Sequence, residues 1–297
     1  MAEPPLLLTV PNASTGTDAG AVDAIGASFA PARLLDVHSD PDHGRSVFTV
    51  AGRQGELAPA LVRAALEARK RIDLARHAGR HPHVGVLDVA PIVHLDEARR
   101  GAAGAEALTA AGLIGDEVGL PVFLYGELAT RDEHRERASL RAGGVTKLAQ
   151  RVGSGELRPD YGPAAIDPSA GAVLVAARPP LVALNLDLMS DDLELARRIA
   201  GELREAGGGL PGVRAIGLEL PTRRRAQVSI NVEDPLGVPL RDVVAFVRDR
   251  GEIAEAELVG LAPRAALDGF PDDVTLRGFD PHRDVIENAL RSLGRGH

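Results

Sequence analysis

Read for apolar periodicity, the chain returns the same order of elements twice, and few architectures can hold such a repeat. Leu6–Val10 reads as a short buried strand, Ala21–Ala30 as a helix, and Leu34–Val37 and Ser46–Val50 as two strands parted by a polar turn. Leu57, Leu61, Ala65, Ala68 and Ile72 recur at spacings of three and four, which is one apolar helix face, and Val86–Val93 is an apolar strand. An Ala-rich helical stretch from Asp96 to about Val118 and a strand at Pro121–Tyr125 follow. Glu156–Gly171, with three prolines and little periodicity, reads as a connection. Beyond it, Ala172–Ala177 and Leu181–Leu188 are strand material and Ser190, Asp191 and Asp192 open a helix. That helix buries Leu193, Ala196, Ile199 and Leu203 and closes at Gly207. Two alternating strands around Leu218 and Ile230, a helix at Val243–Val247 and a strand at Glu257–Leu261 complete the second pass.

Each pass is β-α-β-β-α-β, the split βαβ pattern of ferredoxin-like folds. The expected fold is therefore α+β: two ferredoxin-like subdomains side by side, residues 1–170 and 171–297, with a ligand cleft between them. One mixed sheet with scattered helices is the alternative. From His282 onward a short closing helix is expected, with Leu290 and Leu293 at helical spacing.

A net charge of −8 argues against a nucleic-acid groove, and the absence of cysteine excludes disulfides, thiolate metal sites and cysteine nucleophiles. No apolar run reaches the ~20 residues of a membrane span, and Met1–Pro11 lacks the basic start of a signal peptide. A cytoplasmic protein without membrane or nucleic-acid partners is expected. Lys70 and Lys147 are the only lysines among many arginines, alanines and glycines, a composition that points to a GC-rich bacterial genome.

Five of the nine histidines fall in two loops, His38–Arg45 and Arg76–Gly85. Loops held between rigid elements commonly carry function, although these residue types also suit solvated turns. His77, His81 and His83 with Asp40 or Asp42 could hold a metal, but Gly79 and Pro82 argue against a helix presenting them, and Arg76 and Arg80 oppose a bound cation. One histidine could instead serve as acid and base without metal, with Arg45, Arg76 or Arg80 binding a carboxylate and Asp36, Asp40 or Asp88 orienting the ring. A serine–histidine–aspartate hydrolase would want a Gly-x-Ser-x-Gly elbow, which the chain lacks. There is no Walker loop, and Gly207–Gly209 reads as a flexible turn. Arg223–Arg225 reads as a solvated hairpin tip and Arg131–Arg141 as a solvent-facing charged helix.

At these loops the sequence resembles the formiminotransferase family. Val10-Pro11-Asn12-Ala13-Ser14-Thr15-Gly16 is similar to the family's V-P-N-F-S-E-G, and Leu35-Asp36-Val37 with Asp40-Pro41-Asp42-His43-Gly44-Arg45-Ser46-Val47 to its L-D…D-x-D-H-N-R-[ST]-V. His81-Pro82-His83-Val84-Gly85-Val86-Leu87-Asp88-Val89 resembles H-P-R-[ML]-G-A-x-D-V, and Pro121–Gly126 resembles P-V-[FY]-L-Y-[GE]. Pro159–Pro163, Gly171–Arg178 with Ala183–Leu186, Ala226–Asn231 and Glu257–Pro263 continue the resemblance in register over nearly the whole chain.

The resemblance implies two ferredoxin-like subdomains, usually in a dimer, and transfer of a formimidoyl group between 5-formimidoyl-tetrahydrofolate and L-glutamate in histidine degradation, without a metal. It places His81 at the catalytic position, Arg45 and Arg178 as carboxylate contacts, Asn12 and Asn185 as hydrogen-bonding residues, and Asp40 and His43 in the same binding set. Departures fall at Ala13, Thr15, Gly44, His83 and Pro179, where the family usually carries other residues. They leave formyl transfer from 5-formyl-tetrahydrofolate, or a non-catalytic folate-binding paralogue, as alternatives. At this length, the cyclodeaminase domain of the bifunctional animal protein is not expected.

Overall fold

The computed structural model describes residues 3–293 and divides into two compact units, one ending at Pro179 and the other beginning at Pro180. The fold is mixed α+β with two sheets.

The first unit opens with β1 (Leu6–Thr9) and β2 (Asn12–Ala13), two pieces of one path. Helix α1 (Ala19–Ser28) starts at Asp18, whose carboxylate accepts from the Ala21 N–H, one of the donors a helix start leaves open. Strands β3 (Arg33–Asp40) and β4 (Arg45–Arg53) follow, then α2 (Leu57–Arg71), whose buried face includes Leu57, Leu61, Ala65 and Ala68 as the spacing demands. Arg69, Lys70 and Arg71 in its last turn complement the negative end of the helix dipole.

β5 (Leu87–Val93) is buried along its whole length and pairs antiparallel with both β1 and β2. Pro91 sits inside it, where a proline normally interrupts a sheet, and the gap between β1 and β2 falls opposite. The Pro91 carbonyl is used nonetheless, accepting from the Val10 N–H and the Thr9 hydroxyl.

After α3 (Arg100–Leu113) and β6 (Val122–Leu124) come three helices: α4 (Asp132–Arg135), α5 (Arg137–Arg141) and α6 (Gly144–Gly153). β7 (Val173–Arg178) then lies parallel to both β5 and β6. The sheet runs β3, β4, β1 with β2, β5, β7, β6. Its first four positions come from the β-α-β-β-α-β pass, and β7 and β6 extend it. One core packs between the sheet and α1–α3, and a second, around Phe123, Leu140, Leu148 and Leu174, fills the other side.

The second unit contains β8 (Val182–Leu188), α7 (Leu193–Leu203), β9 (Val213–Leu220), β10 (Arg225–Val232), α8 (Leu240–Arg248) and β11 (Ile253–Leu258). Its strands run β11, β8, β10, β9, antiparallel throughout. Asp192 caps α7, accepting from the N–H groups of Glu194 and Leu195. The chain turns through α9 (Pro281–Asp284) into α10 (Ile286–Leu293). The closing helix expected from His282 onward is thus two helices, and the side chain of Leu293 and residues 294–297 lie outside the described residues.

Three expectations change. The division between units lies after residue 179, not 170, because Val173–Arg178 has β5 and β6 as parallel neighbours and completes the first sheet. Glu156–Gly171 is pinned to the first unit rather than linking two: Tyr161 pairs with Val122 and Gly171 with Gly85. Arg131–Arg141 is not one solvent-facing helix. It breaks at Glu136, and His134, Leu140 and Arg141 are buried.

Candidate active site

β3 and β4 form a hairpin whose turn brings Asp40, Asp42, His43, Gly44 and Arg45 to one end of the sheet. The Asp40 carboxylate accepts from the His43 N–H, tying the turn to itself. Gly44 has φ +65°, a left-handed conformation that glycine adopts freely and asparagine tolerates. The departure from asparagine at this position therefore leaves the backbone path available.

The Arg76–Gly85 loop is zipped onto this turn. Arg80 N–H donates to the Asp42 carbonyl at 3.1 Å and His81 N–H to the His43 carbonyl at 3.3 Å. Gly79 lies so close to Gly44 and His43 that a Cβ there would overlap the His43 carbonyl oxygen. This contact places two segments distant in sequence in fixed register, and with them His81 against Arg45.

The Arg45 Nε donates to the Asn12 side-chain oxygen at 2.9 Å, and its Nη1 lies 2.5 Å from His81 Nδ1 and 3.2 Å from Nε2. A guanidinium has only donors, so a ring nitrogen that meets it must accept, which requires a neutral imidazole. The electrostatics agree. His81 is held well below the ordinary histidine range, first by burial and then by the charges of Arg45 and Arg141. Burial, then the facing His83, lowers His77 as well, and the His77 and His83 rings meet edge to face at 4.2 Å.

Asp88 is the buried counter-charge. It accepts from the Val84 N–H at 2.8 Å, pairs closely with Arg141 and stands 4.0 Å from Arg45. Burial, joined by repulsion from Arg141, lowers Arg45 to about 9, so it remains charged at neutral pH. A small cavity opens among Ala13, Ser14, His43, Arg45, His77, His81, His83 and Asp88. Ala13, fully buried where the family's usual residue is aromatic, forms part of its wall.

The residues singled out from sequence separate into three sets. Asn12, His43, Arg45 and His81 come together, with Asp40 holding their turn. Arg178, at the end of β7, donates to the Pro179 carbonyl and is not part of the cavity wall. Asn185 is buried in β8 of the second unit. The sequence reading missed Arg141. Its charged neighbourhood resembled a surface helix, and the partner that buries it, Asp88, lies 53 residues away. Arg223 departs in the same direction: the hairpin tip it occupies folds back, and its guanidinium meets buried Asp187 at 3.2 Å. Among the described residues no group of three or more histidine, aspartate or glutamate side chains is arranged to hold a metal ion, and no helix is long and apolar enough to cross a membrane.

Comparison with known proteins supplies the family. Residues 6–178 match the profile described as "Formiminotransferase domain, N-terminal subdomain", and residues 183–269 match "Formiminotransferase domain". The chain is 33% identical to a glutamate formimidoyltransferase of Streptococcus pyogenes serotype M1, covering 95% of this chain and 97% of that protein. It is 32% identical to a protein of the same name from Thermoplasma acidophilum, over 96% and 97% of the two chains. Against the formimidoyltransferase-cyclodeaminase of Sus scrofa the identity is 38% over 88% of this chain, which spans only 51% of that longer protein.

Proposed function

From the premise that the chain belongs to the formiminotransferase family, we propose that it moves a formimidoyl group between N-formimidoyl-L-glutamate and tetrahydrofolate, with His81 carrying the proton. It is an enzyme of the glutamate formimidoyltransferase type. The observation that carries the proton-transfer role is the contact of Arg45 with a neutral, half-buried His81.

In this reading N5 of tetrahydrofolate attacks the formimidoyl carbon and a tetrahedral adduct forms. His81 takes the proton that N5 loses and returns it to the α-nitrogen of glutamate as the old C–N bond breaks. One bond forms, one breaks, and a single proton passes through the ring, which ends as it began. The reverse reaction uses the same atoms. A base must be unprotonated before it acts, and the arginine-flanked imidazole meets that need at neutral pH. When a substrate carboxylate settles against Arg45, the positive charge felt by the ring falls and its basicity rises.

Asn12 fixes the Arg45 fork from behind, and Asp40 and His43 hold the turn that presents it. We assign Arg178 and Asn185 to the same substrate-binding set on the strength of the family resemblance. The strand orders support a ferredoxin-like reading of each unit: in both, the third strand of the pass lies between the first and second. A cytoplasmic homodimer acting in histidine degradation is the setting we propose on the strength of the family resemblance.

The test is formation of 5-formimidoyl-tetrahydrofolate from N-formimidoyl-L-glutamate and tetrahydrofolate by the purified chain and by His81→Ala. Turnover that collapses in the variant supports the reading, and equal turnover removes His81 from the chemistry. Tetrahydrofolate binding without formimidoyl turnover would move the protein to formyl transfer or to folate binding alone.

A further inference from the structure

Next to Asp88 the first unit holds buried donor atoms that the protein leaves without a hydrogen-bond partner. Arg141 on α5 is 8% exposed, and its Nη2 pairs with Asp88 while its Nε has no hydrogen-bond partner. Tyr125, which follows β6, is also 8% exposed, and its hydroxyl is likewise without a partner. Arg137 lies one helical turn before Arg141, half-buried, with its guanidinium carbon 6.0 Å from the centre of the Tyr125 ring. No ion pair to Arg137 is found among the described residues. Arg45 completes the group 4.0 Å from the same Asp88 oxygen. Two guanidiniums thus meet one carboxylate, a third stands over the phenol ring, and buried donors left unmet are costly.

We propose that Tyr125, Arg137 and Arg141 form a seat for a substrate carboxylate, adjoining the His81 pocket and distinct from the contacts assigned to Arg45 and Arg178. The argument is one of chemistry. The unmet groups are donors, two guanidinium forks carry positive charge, and the phenol hydroxyl supplies a further donor. An acceptor-only anion with two oxygens satisfies such a set, and a planar carboxylate matches the arginine fork. A second cation or a neutral amide would leave the excess positive charge unbalanced. The identity of the substrate rests on the transferase reading, under which two molecules bring carboxylates: the acidic amino acid, and the glutamyl tail of the folate.

The experiment uses the full chain with Tyr125→Phe and Arg137→Gln, singly and together. Both leave the Asp88–Arg141 pair intact, whereas changing Arg141 would strand a buried carboxylate. Each single variant is expected to raise KM for N-formimidoyl-L-glutamate about tenfold, the loss of roughly one charge-assisted hydrogen bond, with kcat little changed. Arg135→Gln is the control, since Arg135 is exposed and pairs with exposed Asp132. A rise in KM for tetrahydrofolate that disappears with tetrahydropteroate, which lacks the glutamyl tail, supports the seat and gives it to the folate. Unchanged KM values for both substrates overturn the proposal. Should the intact protein show no turnover, the transferase reading fails on its own, and calorimetric binding of L-glutamate and tetrahydrofolate decides the seat. Binding weakened in Tyr125→Phe but not in Arg135→Gln supports it; equal binding, or none, overturns it.

Discussion

In the first unit two arginines, Arg45 and Arg141, meet one buried carboxylate, Asp88, and a third, Arg137, stands beside the Tyr125 ring. In the second, two arginines, Arg223 and Arg277, meet three carboxylates, Asp187, Glu255 and Glu257. Both units set their first four strands in the same order, so topology does not account for the contrast. The second unit's charges are met within it: Asp187 accepts from Gln227 at 2.6 Å and from Arg223 at 3.2 Å, and Arg277, 3.5 Å from Asp187, hydrogen-bonds Glu255 and forms an ion pair with Glu257. The first unit's charges do not close, and the imbalance sits beside a neutral histidine and a cavity. The same scaffold can therefore use buried charge as a brace in one place and as a receptor in another. The count of donors against acceptors separates the two uses.

The sharpest break of this comparison is chemical. His81→Ala should lower kcat roughly 10²- to 10⁴-fold, the usual contribution of a positioned acid–base group, while circular dichroism and the melting temperature stay near those of the parent. Arg45→Gln comes next. It should cost about 10- to 100-fold in kcat/KM through a lost charge-assisted contact. It should also move the acid limb of the kcat/KM profile upward toward the ordinary histidine range, since Arg45 is one of the charges holding His81 down. An unmoved limb would show that burial alone sets the basicity.

Two structural changes set the units against each other at smaller magnitude. Gly79→Ala should destabilise by about 1–3 kcal/mol and lower turnover too, because the new Cβ forces the His81 loop off the Arg45 turn. Arg277→Gln should cost about 1–2 kcal/mol, discounted for partial exposure, and leave the position of the His81 acid limb unchanged. Denaturant melts paired with pH–rate profiles separate these outcomes.

Acidification offers a further check. His81 and His77 both have folded values below the free histidine value of 6.5, so the unfolded chain binds more protons as pH falls through that value. Their neutral native forms stop being favoured there. The melting temperature should drop below pH 6.5, and drop less in His81→Ala. The smallest expected effect is in the second unit. Gly201 sits inside α7 with open space where a Cβ would go, so Gly201→Ala should stabilise by about 0.5–1 kcal/mol without altering turnover.

Much of the fold could be read before any coordinates. The α2 face at Leu57, Leu61, Ala65 and Ala68 and the alternation of β9 and β10 are local periodicities, and each element appears where its period placed it. Asn12, Arg45 and His81 were legible because they sit in motifs dense enough to be identified by resemblance. What escaped has a common cause. Val173–Arg178 was assigned to the second half because nothing in an apolar hexapeptide names its neighbours, and only pairing with β5 and β6 gives it to the first. Arg141 was read as surface because an arginine among charged residues carries no mark of burial until Asp88 is found beside it.

By itself, then, the sequence determined the elements, their order in each pass and the family, because periodicity and motif spacing act over a few residues. The tertiary structure alone decided where one unit stops, which charges are buried, and that the His81 ring meets Arg45. Those properties depend on what lies a few ångströms away in space, and for His81, Arg45, Asp88 and Arg141 the partners are separated by 36 to 53 residues of chain.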